Sequence, residues 1–159
     1  MNRLMFVFLL LASGVVCAST PYVDPANGFR LDPPAFEPSN SLGINSQPVT
    51  FTGPLLGGHA PSCNVQVQNI GLDSIKYREL SRSQFKAAGL TLEAETDRNV
   101  SGKEATLWRY SGAGIRAVAL AVFAGDQTFL VTCLSASADF DKFESVFTNT
   151  IDSFSLEVK

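Results

Sequence analysis

The run Glu104-Ala-Thr-Leu-Trp-Arg-Tyr-Ser-Gly-Ala-Gly-Ile-Arg-Ala-Val-Ala-Leu-Ala-Val-Phe-Ala-Gly-Asp-Gln-Thr-Phe-Leu-Val-Thr-Cys-Leu-Ser135 decides the fold. Gly112-Ala-Gly114 and Gly125-Asp126 cut it into three short stretches rich in β-branched and aromatic residues, and the second pair is a hairpin signal. The preceding stretch, Leu90 to Thr96, leads through a turn at 97–102 into Glu104 to Ser111. Connections this tight leave no room for a crossover, so the four strands form an antiparallel meander. The strand from Ile115 to Ala124 is apolar on both faces, with Val118, Leu120 and Val122 against Ala117, Ala119, Ala121 and Phe123. Such a strand needs a covering layer on each side.

Two helices supply those layers. Downstream, Asp139 to Ile151 places Phe140, Phe143, Phe147 and Ile151 at spacings of three and four, which is a helical apolar stripe. Its acidic start, Asp139 and Asp141, suits the helix dipole. Upstream, Asp73 to Ala88 is a helix capped by Asp73 or Ser74 and ended by Gly89. Tyr77, Leu80, Ser81, Gln84 and Ala88 share its inner face, flanked by Ile75 and Phe85; Arg78, Arg82 and Lys86 lie opposite at spacing four. Earlier still, strands are expected at Phe29–Leu31, Val49–Leu55 and Cys63–Ile70, where Val65 and Val67 alternate with Gln66 and Gln68 to give one wet face. The stretch 22–28 reads as an irregular arm ending in a turn, 35–47 as a loop, and Phe154 with Leu156 as a terminal strand. The fold class is α+β: an antiparallel sheet of six to seven strands with one long helix on each face.

The first eighteen residues read as a cleavable secretory leader. Arg3 precedes the apolar run Leu4 to Ala12, and Val16 and Ala18 fit the small-residue pattern for cleavage after Ala18. The run is too short to span a bilayer, which takes roughly 20 residues. Cys17 leaves a second reading open, a lipoprotein signal whose acylated cysteine would tether the domain to a membrane. The expected division is 1–18 as leader, 19–48 as a Pro/Asn/Ser-rich arm carrying the first short strand, and 49–159 as the main α+β domain.

Loss of the leader removes only Arg3 among the charged residues, leaving 11 bases against 15 acids. A mildly acidic product does not suit nucleic acid, which calls for clustered Lys and Arg. Two cysteines remain, Cys63 and Cys133, and an even count in an exported chain suggests a disulfide; two buried free thiols are the alternative.

Tyr22-Val-Asp-Pro, Gly28-Phe-Arg-Leu-Asp-Pro33, Asp73-Ser-Ile-Lys-Tyr-Arg-Glu-Leu-Ser-Arg82 and the closing Phe143, Phe147, Ile151, Phe154 together resemble PsbP-like domains, over roughly Tyr22 to Phe154. The resemblance implies a fold shared by an extrinsic subunit of the oxygen-evolving photosystem, a Ran-binding nuclear transport factor, the bacterial envelope protein DcrB and chaperones of secreted toxins. Their common theme is binding other proteins. No binding residue of the family can be matched here, and the leader has no twin arginine and no chloroplast-type transit region.

The chemistry-bearing residues do not assemble into a catalytic set. His59, the only histidine, sits in the loop Gly57-Gly-His-Ala-Pro61, and one histidine gives neither a Cys-His pair with an oxidised Cys63 nor a four-ligand zinc site. Gly57-Gly58 lacks the following Lys-Ser/Thr of a phosphate loop, Gly112-Ala-Gly114 joins two strands, and Ser62, Ser81 and Ser101 lack the hydrolase elbow. Trp108, Tyr110 and Thr106 share one strand face and read as buried packing, with an exposed binding face as the alternative. Asn99-Val-Ser101 is a glycosylation sequon on a turn, meaningful only in a eukaryotic secretory route. The stripe Arg78, Arg82, Lys86 reads either as a solvated helix face or as a docking surface for an acidic protein or a lipid head group. The expectation is a periplasmic or secreted, non-catalytic accessory or protein-binding module of the cell envelope, without cofactor, metal or nucleic acid. The alternative is a small-ligand or lipid binder using a groove between sheet and proline-rich arm.

Overall fold

The computed structural model describes residues 20–34, 37–39, 48–55 and 59–157. The expected leader, with Cys17, and the Gly57-Gly58 pair lie outside the described residues. Seven antiparallel strands form the main sheet in the order β3-β4-β5-β9-β8-β7-β6. They are β3 (Glu37–Ser39), β4 (Val49–Thr52), β5 (Ser62–Gln68), β6 (Thr91–Val100), β7 (Lys103–Gly112), β8 (Ile115–Ala124) and β9 (Gln127–Ala136). The meander β6 to β9 is thus one contiguous half of the sheet. Its strands run to ten residues each because the hairpins are tighter than the sequence suggested. The segment 97–102, read as a turn, is mostly strand: only Ser101 and Gly102 turn, both with positive φ (52° and 77°), the geometry of a two-residue hairpin whose twist matches its strands.

Helix α1 (Ser74–Ala87) and helix α2 (Phe140–Ser153) lie on opposite faces, as expected. Strand parity makes the two faces different. On the α2 side, Val118, Leu120 and Val122 of β8 meet Phe129, Val131 and Cys133 of β9, and Phe140, Phe147 and Ile151 close over them, all buried. Each such side chain is worth roughly 1.5–3 kcal/mol relative to an exposed one. On the α1 side, β8 offers Ala117, Ala119 and Ala121, with Phe123 following toward its end, and the space above the alanines is taken by Trp108 and Tyr110 of β7.

The arm contributes more structure than the sequence suggested. Tyr22–Asp24 is a strand, β1, pairing with β2 (Phe29–Leu31), and β10 (Ser155–Leu156) pairs with β2 on the other side. These three form a separate small sheet instead of extending the large one. Asp24 organises the β1–β2 turn: its carboxylate accepts from the Asn27 backbone N–H at 2.9 Å and from Asn27 Nδ2 at 2.8 Å, and its carbonyl accepts from Gly28 N–H. Phe29 stacks on Phe154 with centroids 5.6 Å apart and meets Phe129 edge-on, and so seats the small sheet on the main core. A strand also occurs at 37–39, inside the stretch read as loop, and β4 stops at Thr52 instead of Leu55.

The covering is therefore unequal. The α2 face is covered by α2 together with the small sheet. The α1 face has one helix on a seven-stranded sheet, about 29 Å wide at the usual strand spacing against a helix diameter of about 10 Å.

Candidate binding groove

Helix α1 rests on aromatic rings. Tyr77 stacks on Trp108 (6.2 Å) and meets Phe123 edge-on (5.4 Å); Phe85 stacks on Tyr110 (4.6 Å) and meets Trp108 edge-on. The buried stripe is narrower than expected. Tyr77 and Ser81 are buried and Phe85 is half-buried, but Gln84, Ala88 and Leu80 face solvent. Rings of this size hold the helix well above the alanines of β8. The gap opens beside the helix, toward β5 and β9, as a groove of about 380 Å³. Its floor is Trp108, Tyr110, Leu130 and Thr132, its back wall Tyr77, Ser81 and Phe85, and Ile70 and Leu80 stand at its lip.

A hydrogen-bond chain runs along the groove. The Tyr77 hydroxyl donates to Gln68 Oε1 at 2.8 Å, and Gln68 Nε2 donates to Gln66 Oε1 at 3.1 Å. Burial pushes the Tyr77 phenol up to about 12, so it stays a donor throughout the physiological range. The chain leaves the Gln66 amide N–H₂ as its terminal donor. None of the residues lining the groove is charged. Gln66 and Gln68 were legible only as the wet face of a strand; the signal was that this face is amide and not ionic.

The basic stripe is engaged with the sheet. Arg78 bridges Asp97 (3.0 Å) and Glu104 (2.8 Å), and Ser74 Oγ also donates to Glu104. Arg82 makes two bonds to Glu95. These pairs pin α1 on its β6 side, while the groove opens on its other side. Among the described residues no carboxylate lies within ion-pair distance of Lys86. The acidic helix has the reverse arrangement. Glu144 of α2 pairs with Arg109 of β7 at 2.6 Å, and Asp141 with Arg116 of β8, whose guanidinium also lies over the Phe140 ring. Each helix meets the opposite charge sign on the strands beneath it.

Cys63 and Cys133 are bonded to each other. His59 lies on an exposed bend. Asn99 Oδ1 accepts from the Gly102 backbone N–H and Ser101 Oγ accepts from the Leu156 backbone N–H, so both sequon side chains brace the β6–β7 hairpin. Trp108 and Thr106 are buried and Tyr110 nearly so. A wider, more open hollow of about 610 Å³ lies where the arm's turn meets two hairpins, between Asn27, Gly28, Ser101, Lys103, Phe129 and Leu156. Among the described residues there is no cluster of three or more His, Cys, Asp or Glu able to hold a metal, and no helix long and apolar enough to cross a membrane.

No protein-family model matches the chain, and no curated protein matches it in sequence. Its architecture recurs among solved structures. The solution structure of cyanobacterial PsbP (CyanoP) from Synechocystis sp. PCC 6803 aligns with a TM-score of 0.63 at 17% identity, over 90% of this chain and 95% of that one. The crystal structure of PA94, a protein of unknown function from Pseudomonas aeruginosa, aligns with a TM-score of 0.56 at 17% identity, over 84% and 94% respectively. The fold is PsbP-like.

Proposed function

We propose that the chain is a periplasmic or secreted, non-catalytic accessory module of the cell envelope that binds another protein through its α1 face. The observation that carries this reading is the unequal covering of the sheet. One face carries α2 and the small sheet, and the other, under α1 alone, keeps an aromatic groove with Ile70 and Leu80 exposed at its lip (46% and 42%). Exposed apolar groups at the rim of a concave site suit a partner surface. The docking surface takes in the groove and the outer side of α1, where Lys86 and the half-exposed Arg82 stand. A disulfide inside the core supports work outside the reducing cytosol. The mature domain begins after Ala18 and spans the fold from Tyr22 to Leu156; processing in front of Cys17 with acylation of that cysteine would replace this N-terminus and tether the domain to a membrane. A small-ligand reading has one observation in its favour, the groove's volume, which falls in the range of ligand pockets.

The test is affinity capture of the protein from its native envelope, with intact-mass measurement of the recovered chain. The expected mass starts at Ser19, and a protein partner co-purifies with wild type but not with Leu80→Asp. A cytosolic chain retaining residues 1–18 overturns the export reading. Retention of every partner by both Leu80→Asp and the Arg82→Glu/Lys86→Glu double variant overturns docking on this face.

A further inference from the structure

We propose that the groove beside α1 receives one uncharged apolar side chain of a partner polypeptide together with an adjoining backbone carbonyl. This rests on the docking reading above and names what the docking surface recognises. Four observations converge on it.

The groove is electrically neutral: its polar lining is Gln66, Gln68, Ser81, Gln84 and Thr132, with the phenols of Tyr77 and Tyr110. A charged occupant would give up its hydration without a counter-ion. The ion pairs nearby are already closed on the far side of the helix, at Arg78 and Arg82. Trp108 and Tyr110, almost wholly buried under Tyr77 and Phe85, give the groove an apolar aromatic lining that suits an apolar group.

The hydrogen-bond chain gives direction. Tyr77 donates to Gln68 and Gln68 donates to Gln66 Oε1, which leaves the Gln66 N–H₂ as the donor at the end of the chain. Among the described residues nothing accepts from Gln66 Nε2. A donor of this kind, already polarised by the bonds behind it, calls for a neutral acceptor, and a peptide carbonyl is one. Finally, Ile70 and Leu80 stand at the lip, where an occupant confined to the floor would leave them wet. A polypeptide that continues out of the groove would cover both, which a single small molecule of the groove's size would not.

Trp108 is the only tryptophan of the chain, so its emission reports the groove alone. The probes are N-acetyl-phenylalaninamide, its carboxylate counterpart N-acetyl-phenylalanine, and the neutral peptide acetyl-Gly-Ala-Phe-Ala-Gly-amide, titrated into the disulfide-bonded protein. The amide is expected to shift Trp108 emission saturably, the carboxylate to bind at least about tenfold more weakly, and the peptide about tenfold more tightly than the amide. Leu80→Asp, at an exposed lip, and Gln66→Met, which keeps the volume and removes the donor, should each weaken the peptide by about five- to tenfold with an unchanged circular dichroism spectrum. Equal binding of amide and carboxylate, or no response to either, overturns the proposal. A peptide no tighter than the amide makes the groove a small-molecule site and overturns it too. Partners captured equally well by Leu80→Asp, when that variant has lost the peptide, overturn the groove as the docking site and leave docking elsewhere on the chain intact. Peptide binding as expected, with no protein captured by wild type, supports the groove's chemistry while the accessory reading fails.

Discussion

Arg82 of α1 reaches Glu95 of β6 through two parallel hydrogen bonds, Nη2 to Oε1 at 2.6 Å and Nε to Oε2 at 2.9 Å. The guanidinium holds the Glu95 carboxyl below the usual carboxylate range. A carboxylate whose folded value is lowered stabilises the fold at pH above its unfolded value. That stabilisation drains away as pH falls through the folded value. Here the loss begins below about 4.5. Glu95→Gln should cost roughly 0.5–1 kcal/mol at pH 7, kept small by the half-exposed Arg82. It should also flatten, without abolishing, the acid dependence, because Glu93 and Asp73 are lowered as well. Urea midpoints at pH 7 and pH 3.5 for both proteins check this; equal acid sensitivity in the two would refute it.

Cys63 and Cys133 stand directly opposite each other on β5 and β9, with Cα atoms 4.1 Å apart and both side chains fully buried on the α2 side. The bridge closes a loop with a sequence separation of 70, for which chain-entropy arithmetic gives about 4 kcal/mol of stabilisation through the unfolded state. It also ties the meander to the half of the sheet that carries β3, β4 and β5. Reduction should therefore lower the denaturant midpoint markedly. The Cys63→Ala/Cys133→Ala variant should lose a further ~1–2 kcal/mol from the small cavity it leaves. Denaturation of oxidised, reduced and double-alanine proteins separates the two contributions.

Much of this fold could be read because period-two and period-four apolar patterns were unbroken where they mattered. Ile115 to Ala124, apolar on both faces, demanded two layers, and the stripe from Phe140 to Ile151 supplied one of them. What escaped reading depended on partners far away in sequence. Tyr22–Asp24 becomes a strand only because β2 and β10 lie beside it. Thr96 to Val100 stays extended because Arg98 to Val100 pair residue for residue with Lys103 to Ala105, which pushes the turn out to Ser101 and Gly102. The groove was hidden for a different reason. Trp108 and Tyr110 read as core, which they are, and only the alanines paired with them across β8 show that the rings act as spacers lifting α1 off the sheet. The arginines of α1 read as a free basic face because helical spacing says nothing of the acids waiting on β6 and β7.

The tyrosines give an alkaline counterpart to the Glu95 effect. Burial raises Tyr77 to about 12, and it raises Tyr110 and Tyr22 as well. A group whose folded value is raised stabilises the fold fully below its unfolded value, and the stabilisation is lost as pH climbs through the folded value. For Tyr77 the window runs from about 10 to about 12. Ultraviolet titration of phenolate should accordingly rise late and steeply, with alkaline unfolding, instead of showing an ordinary phenol near 10. Tyr77→Phe should leave the rings stacked, remove the latest-titrating phenol and free Gln68 Oε1. The expected cost at pH 7 is about 1 kcal/mol, from one lost hydrogen bond at a groove wall that water can reach. A phenolate ionising near 10 in the intact fold, in the number of all three tyrosines, would contradict the buried aromatic layer.

Gly112, at the end of β7, decides how closely the α1–β6 connection can approach the β7–β8 hairpin. Its φ is +150°, and a Cβ placed there would meet the Gly89 carbonyl oxygen at 2.8 Å and the Leu90 Cα at 3.1 Å. Both neighbours are backbone, so neither can swing aside as a side-chain end would. Gly114, two residues on, also has positive φ but faces open space. Alanine at 114 should therefore cost only the conformational strain, about 1 kcal/mol, while alanine at 112 adds a clash and should cost about 2–4 kcal/mol. The clash falls on the C-terminal end of α1, next to Phe85 and Tyr110, so Gly112→Ala should also shift the emission of Trp108 in the folded state. Gly114→Ala should leave that emission unchanged. Denaturation curves and folded-state fluorescence of the two variants check the ranking; equal costs would mean that the connection gives way freely and that the aromatic spacers alone set the height of α1.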